Sequence, residues 1–133
     1  MITGYLMAPV RGSNGDSVSA EVKLENVRFG IELGLSIRLA MPSLDLFIPH
    51  LHEEVIDELW RLGLESDKIL DACCNIAVSK DVGLLYDGHG VSSGMQREWD
   101  ALCRAGKEVI VFDSFDDDVR AEIVFAMSRA RKG

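Results

Sequence analysis

The 133-residue sequence predicts one α/β domain on a mostly parallel sheet of four to five strands, with helices covering both faces as a three-layer sandwich. Three observations carry this expectation. Four short apolar runs have the length of strands: TGYLMAP (3–9), LDLFI (44–48), VGLLY (82–86) and EVIVF (108–112). The segments between them carry the 3.6-residue spacing of helices. The runs are also apolar almost throughout, as in Val109-Ile110-Val111-Phe112, which suits strands buried on both sides.

The first run ends at Pro9, and RGSNGDSVS (11–19) after it has the composition of a loop. A helix is expected from Ala20 to Ala40, with Leu24, Val27, Ile31 and Leu35 as its apolar stripe, stopped by Pro42. Pro49 closes the second strand. A helix over 52–63 places Val55, Ile56, Leu59 and Trp60 on one side and ends at Gly63. Another runs from Ser66 to Ser79 with Ile69, Cys73 and Ile76 inward. After the third strand, DGHGVSS (87–93) reads as a loop. Gly94 to Ala105 reads as a helix burying Met95, Trp99 and Leu102, and Phe115 to Arg131 as the last helix. Strands joined by helices imply right-handed crossovers and a flavodoxin- or Rossmann-like sheet, whose ligands collect at the carboxyl ends of the strands.

Composition narrows the partners. The formal net charge is −8, and the only basic cluster, Arg129, Arg131 and Lys132, closes a helix, where cations suit the macrodipole. A nucleic-acid polymer is therefore not expected as partner. The acidic composition does not exclude a small nucleotide, because helix N-termini can bind phosphate without a basic surface. Cys73, Cys74 and Cys103 lack CxxC spacing and read as reduced, buried side chains. No signal peptide and no membrane-length apolar run is seen, so a cytoplasmic location is expected.

SSGMQRE (92–98) is the most informative segment, since it follows a strand directly and opens a helix. Ser93 reads as an N-cap, with Gln96 completing a capping box. Gly94 permits close approach to the backbone, and the first-turn N–H groups form an anion site. Glu98, just over one turn on, can reach past the helix start. An ordinary capped helix with a solvated glutamate has the same pattern. Asp81 precedes the third strand and Asp87 follows it, and either could supply a second carboxylate of an acid/base pair. Acidic residues at strand ends are also common turn formers. Tyr5 lies in the first strand, where buried tyrosines are usually core. Arg11, Gly12, Asn14 and Asp16 in the 11–17 loop resemble a ligand clasp, although surface loops share that composition.

His50 and His52 would share one side of an extended segment, but no third metal ligand stands at suitable spacing, so no metal or other cofactor is expected. His89 could orient a substrate. Glu53, Glu54 and Asp57 suggest a carboxylate face for magnesium, with the solvated face of an amphipathic helix as the simpler reading.

Taken in order, YLMAPVRG (5–12), Pro49-His50, Asp81, SGMQRE (93–98) and GKEVIVF (106–112) resemble the nucleoside 2-deoxyribosyltransferase-like superfamily. That group includes deoxyribosyltransferases and nucleoside 5'-monophosphate N-glycosidases. The resemblance runs from Tyr5 to about Phe112 and implies cleavage of an N-glycosidic bond, by hydrolysis or by transfer to another base. It implies Glu98 as the nucleophile at the anomeric carbon, Asp81 as helper of the departing base, and Tyr5 as the residue holding the nucleophile in line. Ser93 and Gly94 match the helix start that contacts sugar or 5'-phosphate. The partner implied is a small nucleoside or nucleotide, and the assembly a homodimer or larger homo-oligomer.

Ser92 departs from the family pattern, because many transferases carry an acidic residue there. This favours the hydrolase branch, or a non-catalytic nucleotide-binding relative, over a true transferase. A phosphoribohydrolase of the cytokinin-activating type shares the layout, but its glycine-rich PGGxGT-like signature is missing.

Overall fold

The computed structural model describes residues 1–10 and 19–132. Four strands, β1 (Ile2–Met7), β2 (Leu44–Phe47), β3 (Val82–Tyr86) and β4 (Glu108–Phe112), form one sheet in the order β2-β1-β3-β4. All three pairings are parallel, with Tyr5 opposite Phe47 on one side and Gly83 on the other. The helices are α1 (Ala20–Ala40), α2 (Glu53–Arg61), α3 (Ser66–Val78), α4 (Ser93–Arg104) and α5 (Asp117–Lys132), with a 3₁₀ turn at Pro49–His52 ahead of α2. The chain is thus a Rossmann-like α/β fold with an all-parallel sheet of four strands.

Alternation along the strands divides the core in two. Leu6, Leu84, Tyr86, Ile110 and Phe112 pack with Ile37 of α1 and with Ile123, Ala126 and Met127 of α5. Tyr5, Met7 and Leu85 pack instead with Ala77 of α3 and with Met95 and Leu102 of α4. Each fully buried leucine of this kind contributes about 1.5–3 kcal/mol by leaving water. α1, which follows β1, and α4, which follows β3, therefore serve different halves of the core. The neighbouring strands β1 and β3 meet at a switch in strand order, where such sheets open a crevice at their carboxyl edge.

The helix ends follow from local chemistry. The Ser19 hydroxyl accepts from the Val22 N–H and caps α1. Asp116 does the same for Val119 and starts α5 two residues later than the sequence suggests.

Several expected inward stripes are turned outward. Leu24 and Leu35 of α1 are exposed, as are Val55 and Leu59 of α2 and Ile76 of α3; Val27, Ile31, Ile56, Trp60 and Trp99 are only half-buried. The buried face of α1 is Gly30, Gly34 and Ile37. A Cβ on Gly30 would stand 2.3 Å from His50 Cδ2, and one on Gly34 2.5 Å from Ile48 Cδ1. The two glycines let α1 lie against the end of β2, which rotates its apolar stripe away from the sheet. Val111, expected to be buried, is exposed because β4 is an edge strand. Cys103 is exposed, and Cys73 and Cys74 are half-buried.

Candidate functional site

A cavity of about 320 Å³ lies beside β1, between the start of α4, the 3₁₀ turn with α2, and α3. Its size is within the range of small-molecule sites. Strand β1 supplies Tyr5 and Leu6. The start of α4 supplies Ser92, Ser93, Gly94 and Met95, with Glu98 one turn further. The opposite wall carries His50, Glu53, Ile56 and Trp60, and α3 adds Ile69, Leu70 and Cys73.

Tyr5 is fully buried in the middle of β1 and stacks on Phe47 at 5.6 Å. Its hydroxyl donates to Glu98 Oε2. Burial pushes the Glu98 carboxyl up to about 7, and the Tyr5 hydrogen bond works against that rise. Burial and the neighbouring carboxylate hold the Tyr5 phenol well above its ordinary value, so it remains a proton donor. Burial also pushes the nearby Cys73 thiol up to about 11, which keeps it protonated at neutral pH and a poor nucleophile. A carboxyl that titrates near neutrality, in a cavity and held by one donor, is suited to acid/base work or nucleophilic attack.

Ser92, rather than Ser93, caps α4: its hydroxyl accepts from the Met95 N–H at 3.2 Å. Ser93 is the first helical residue, so the capping box expected between Ser93 and Gln96 does not form. The Gln96 side chain donates to Asp100 instead. A Cβ on Gly94 would meet Leu70 Cδ2 at 3.2 Å, which ties its small size to the contact between α4 and α3. Arg97 pairs with Asp67 and Asp71 of α3, at 3.2 and 2.7 Å, next in sequence to Glu98.

The second wall comes from β2's end. Pro49 opens the 3₁₀ turn and His50 points inward, only 2% exposed, with Nε2 3.3 Å from the Pro9 carbonyl oxygen. Burial pushes its pKa down, so the ring is neutral at pH 7. His50 Nδ1 is buried without a hydrogen-bond partner among the described residues. His52 is exposed and stacks on Phe47, so the two histidines diverge. Glu53 is buried, with Lys23 Nζ of α1 3.1 Å from its Oε1, while Glu54 and Asp57 are exposed. The solvated-face reading therefore fails for Glu53. No group of three or more metal-ligating side chains occurs among the described residues.

Tyr5, Glu98, Ser92, Ser93 and Gly94 are thus brought to one cavity. Asp81 is not. It stands just before β3, at the amino edge of the sheet, and its carboxylate accepts from the Thr3 N–H at 2.8 Å and the Thr3 hydroxyl at 3.0 Å. Those bonds hold its pKa below the ordinary carboxylate value. A residue preceding a parallel strand lies a strand's length from the carboxyl edge, which removes Asp81 as partner to Glu98. Asp87 is exposed, its N–H bonded to the Phe112 carbonyl, and does not line the cavity. Exposed His89 packs against Phe29 and Tyr86 and also lies outside it. Arg11, Gly12, Asn14 and Asp16 lie outside the described residues.

No helix among the described residues is long and apolar enough to cross a membrane. No family model matches the chain, and neither a curated protein nor a solved structure matches it.

Proposed function

We propose that the protein cleaves the N-glycosidic bond of a nucleoside or nucleoside 5'-monophosphate, with Glu98 as the nucleophile. The observation that carries this reading is the Tyr5–Glu98 hydrogen bond at the wall of a ligand-sized cavity. In the first step a carboxylate oxygen of Glu98 bonds to the anomeric carbon as the bond to the base breaks, and the base leaves with the bonding pair. Water, or a second base, then displaces Glu98 from the glycosyl intermediate. The carboxylate also stabilises positive charge developing on the sugar. The Tyr5 hydroxyl fixes which oxygen faces the substrate and favours the anionic form needed for attack.

The resemblance to the nucleoside 2-deoxyribosyltransferase-like superfamily supports the same chemistry, as do the three-layer, flavodoxin-like arrangement implied by the strand order and the α4 N-terminus at the cavity. A cytoplasmic protein acting as a homodimer or larger homo-oligomer on a small-molecule substrate completes the reading. A non-catalytic nucleotide-binding protein is the second reading, favoured by one observation: Asp81, the helper of the departing base in the resemblance, is bound to Thr3 at the far edge of the sheet.

Glu98→Gln separates the two. Release of free base from nucleosides and monophosphates, followed by chromatography, should fall by orders of magnitude in this variant while ligand affinity changes little. Tight binding without turnover by the unsubstituted protein would establish the second reading instead.

A further inference from the structure

We propose that the outer face of α1 is the surface on which two copies of this chain associate, as an antiparallel helix pair related by a two-fold axis. This gives the homo-oligomer of the reading above its interface and stands apart from the chemistry at Glu98. Because Gly30, Gly34 and Ile37 face inward, the apolar row Val27, Ile31, Leu35 and Leu39 is turned from the sheet, with Leu24 beside it. Leu24 is 51% and Leu39 85% exposed, and Leu35 is exposed as well. Leu24, Val27 and Ile31 also line a groove shared with exposed Leu51 of the 3₁₀ turn. A continuous apolar stripe on an otherwise charged surface marks an association site, which singly scattered apolar residues do not.

Spacing and charge select a second copy as the occupant. Residues four apart form the ridge that interdigitates with the same ridge of another helix, so the row can pack on itself. Arg28 and Glu32, both exposed, flank the row two residues before and two residues after Gly30. When two antiparallel helices cross at the level of Gly30, Arg28 of each copy stands against Glu32 of the other, twice by symmetry. The same crossing brings Leu35 of one copy over Leu24 and Val27 of the other. Glu21 and Glu25 then face the half of the partner helix that carries Leu35 and Leu39, away from its acidic residues. A parallel pair would set Arg28 against Arg28 and Glu32 against Glu32, and like charges reject it. A lipid surface fits less well: interfacial helices are rich in Lys and Arg, whereas this flank mixes both signs on a chain of net charge −8.

Sedimentation equilibrium should give twice the 14.7 kDa chain mass at micromolar concentration. Leu35→Asp should give monomers, and Arg28→Glu or Glu32→Arg alone should each weaken the dimer by about tenfold or more. The double variant Arg28→Glu/Glu32→Arg should recover it. An equimolar mixture of the two single variants should form a heterodimer, which an Arg28–Glu32 pair within one chain would not produce. All three positions are exposed, and circular dichroism melts check that each variant keeps its fold. A wild-type protein that stays monomeric up to about 0.5 mM overturns the proposal. So does a dimer that survives Leu35→Asp, or one broken instead by Phe125→Asp in the exposed pair Val124 and Phe125 of α5. Single variants that stay monomeric when mixed overturn the antiparallel pairing. Base release by the wild type and Glu98→Gln is read separately, so failure of the glycosidic reading and failure of this interface are told apart.

Discussion

The hydroxyl of Tyr5, in the middle of β1, donates to the carboxylate of Glu98, a residue 93 positions later on α4. The bond joins a rigid strand to the second turn of a helix and fixes the carboxyl at the cavity wall. It also opposes the effect of burial, since a donor stabilises the anion that desolvation disfavours.

Activity should therefore rise with pH as Glu98 loses its proton near pH 7, because only the carboxylate can attack. Tyr5→Phe removes the opposing donor, so the acid limb of kcat/KM should move to higher pH. The plateau should also fall by roughly ten- to hundredfold, the worth of a hydrogen bond to a charged group. A pH–rate profile for both proteins checks this. An unchanged acid limb in the Phe variant would separate Tyr5 from the ionisation of Glu98.

The same shift has a sign for stability. In the folded protein Glu98 holds its proton up to about 7, against an ordinary 4.5. Between those values the folded state binds more protons than the unfolded one, so this group's contribution is lost as pH rises through 7. Glu98→Gln removes the titration, and its stability relative to wild type should improve from pH 5 to pH 8. The interval sets a ceiling of roughly 3 kcal/mol, reduced by water entering the cavity. Thermal melts across that range measure it, and a constant difference would mean that Glu98 titrates normally.

The strands were legible from periodicity and chain order, whereas the Tyr5–Glu98 pair was expected only from the superfamily resemblance; chain order then accounts for why the two meet. A tyrosine in a buried first strand and a glutamate one turn into the helix after the third strand converge when those strands are neighbours. Asp81 was misplaced because adjacency to a strand was considered without its direction. In a parallel sheet the residue before a strand and the residue after it lie at opposite edges. The second wall was hidden for another reason. Glu53 sits in an acidic run that reads as solvated, and only the Pro49 turn swings it inward together with His50. For α1, Leu24 and Leu35 outweighed the quieter signal of Gly30, Gly34 and Ile37, a face chosen for closeness rather than apolar bulk.

Asp81→Ala should leave catalysis unchanged and cost about 1 kcal/mol of stability, because it removes the partly exposed bonds to Thr3. The depressed pKa of Asp81 gives the sign: its contribution is present at neutral pH and lost as pH falls below the ordinary value of 3.8. Urea unfolding at pH 7 and at pH 3 should show the difference shrinking at the lower pH. A large loss of turnover without loss of stability would return Asp81 to the mechanism.

Gly30→Ala sets two effects against each other. Alanine is a better helix former than glycine by about 1 kcal/mol, and position 30 is inside α1, so propensity alone predicts a more stable protein. Yet the new methyl would sit 2.3 Å from His50 Cδ2, far inside contact distance. His50 is 2% exposed and bonded to the Pro9 carbonyl, so displacing its ring would break that bond. Overpacking of this kind costs about 1–3 kcal/mol and should outweigh the gain, giving net destabilisation in urea. Because His50 lines the cavity, the same change should weaken ligand binding while leaving the acid limb set by Glu98 in place. A Gly30→Ala protein more stable than wild type would show that α1 can move off the end of β2, and with it that the His50 wall is not fixed.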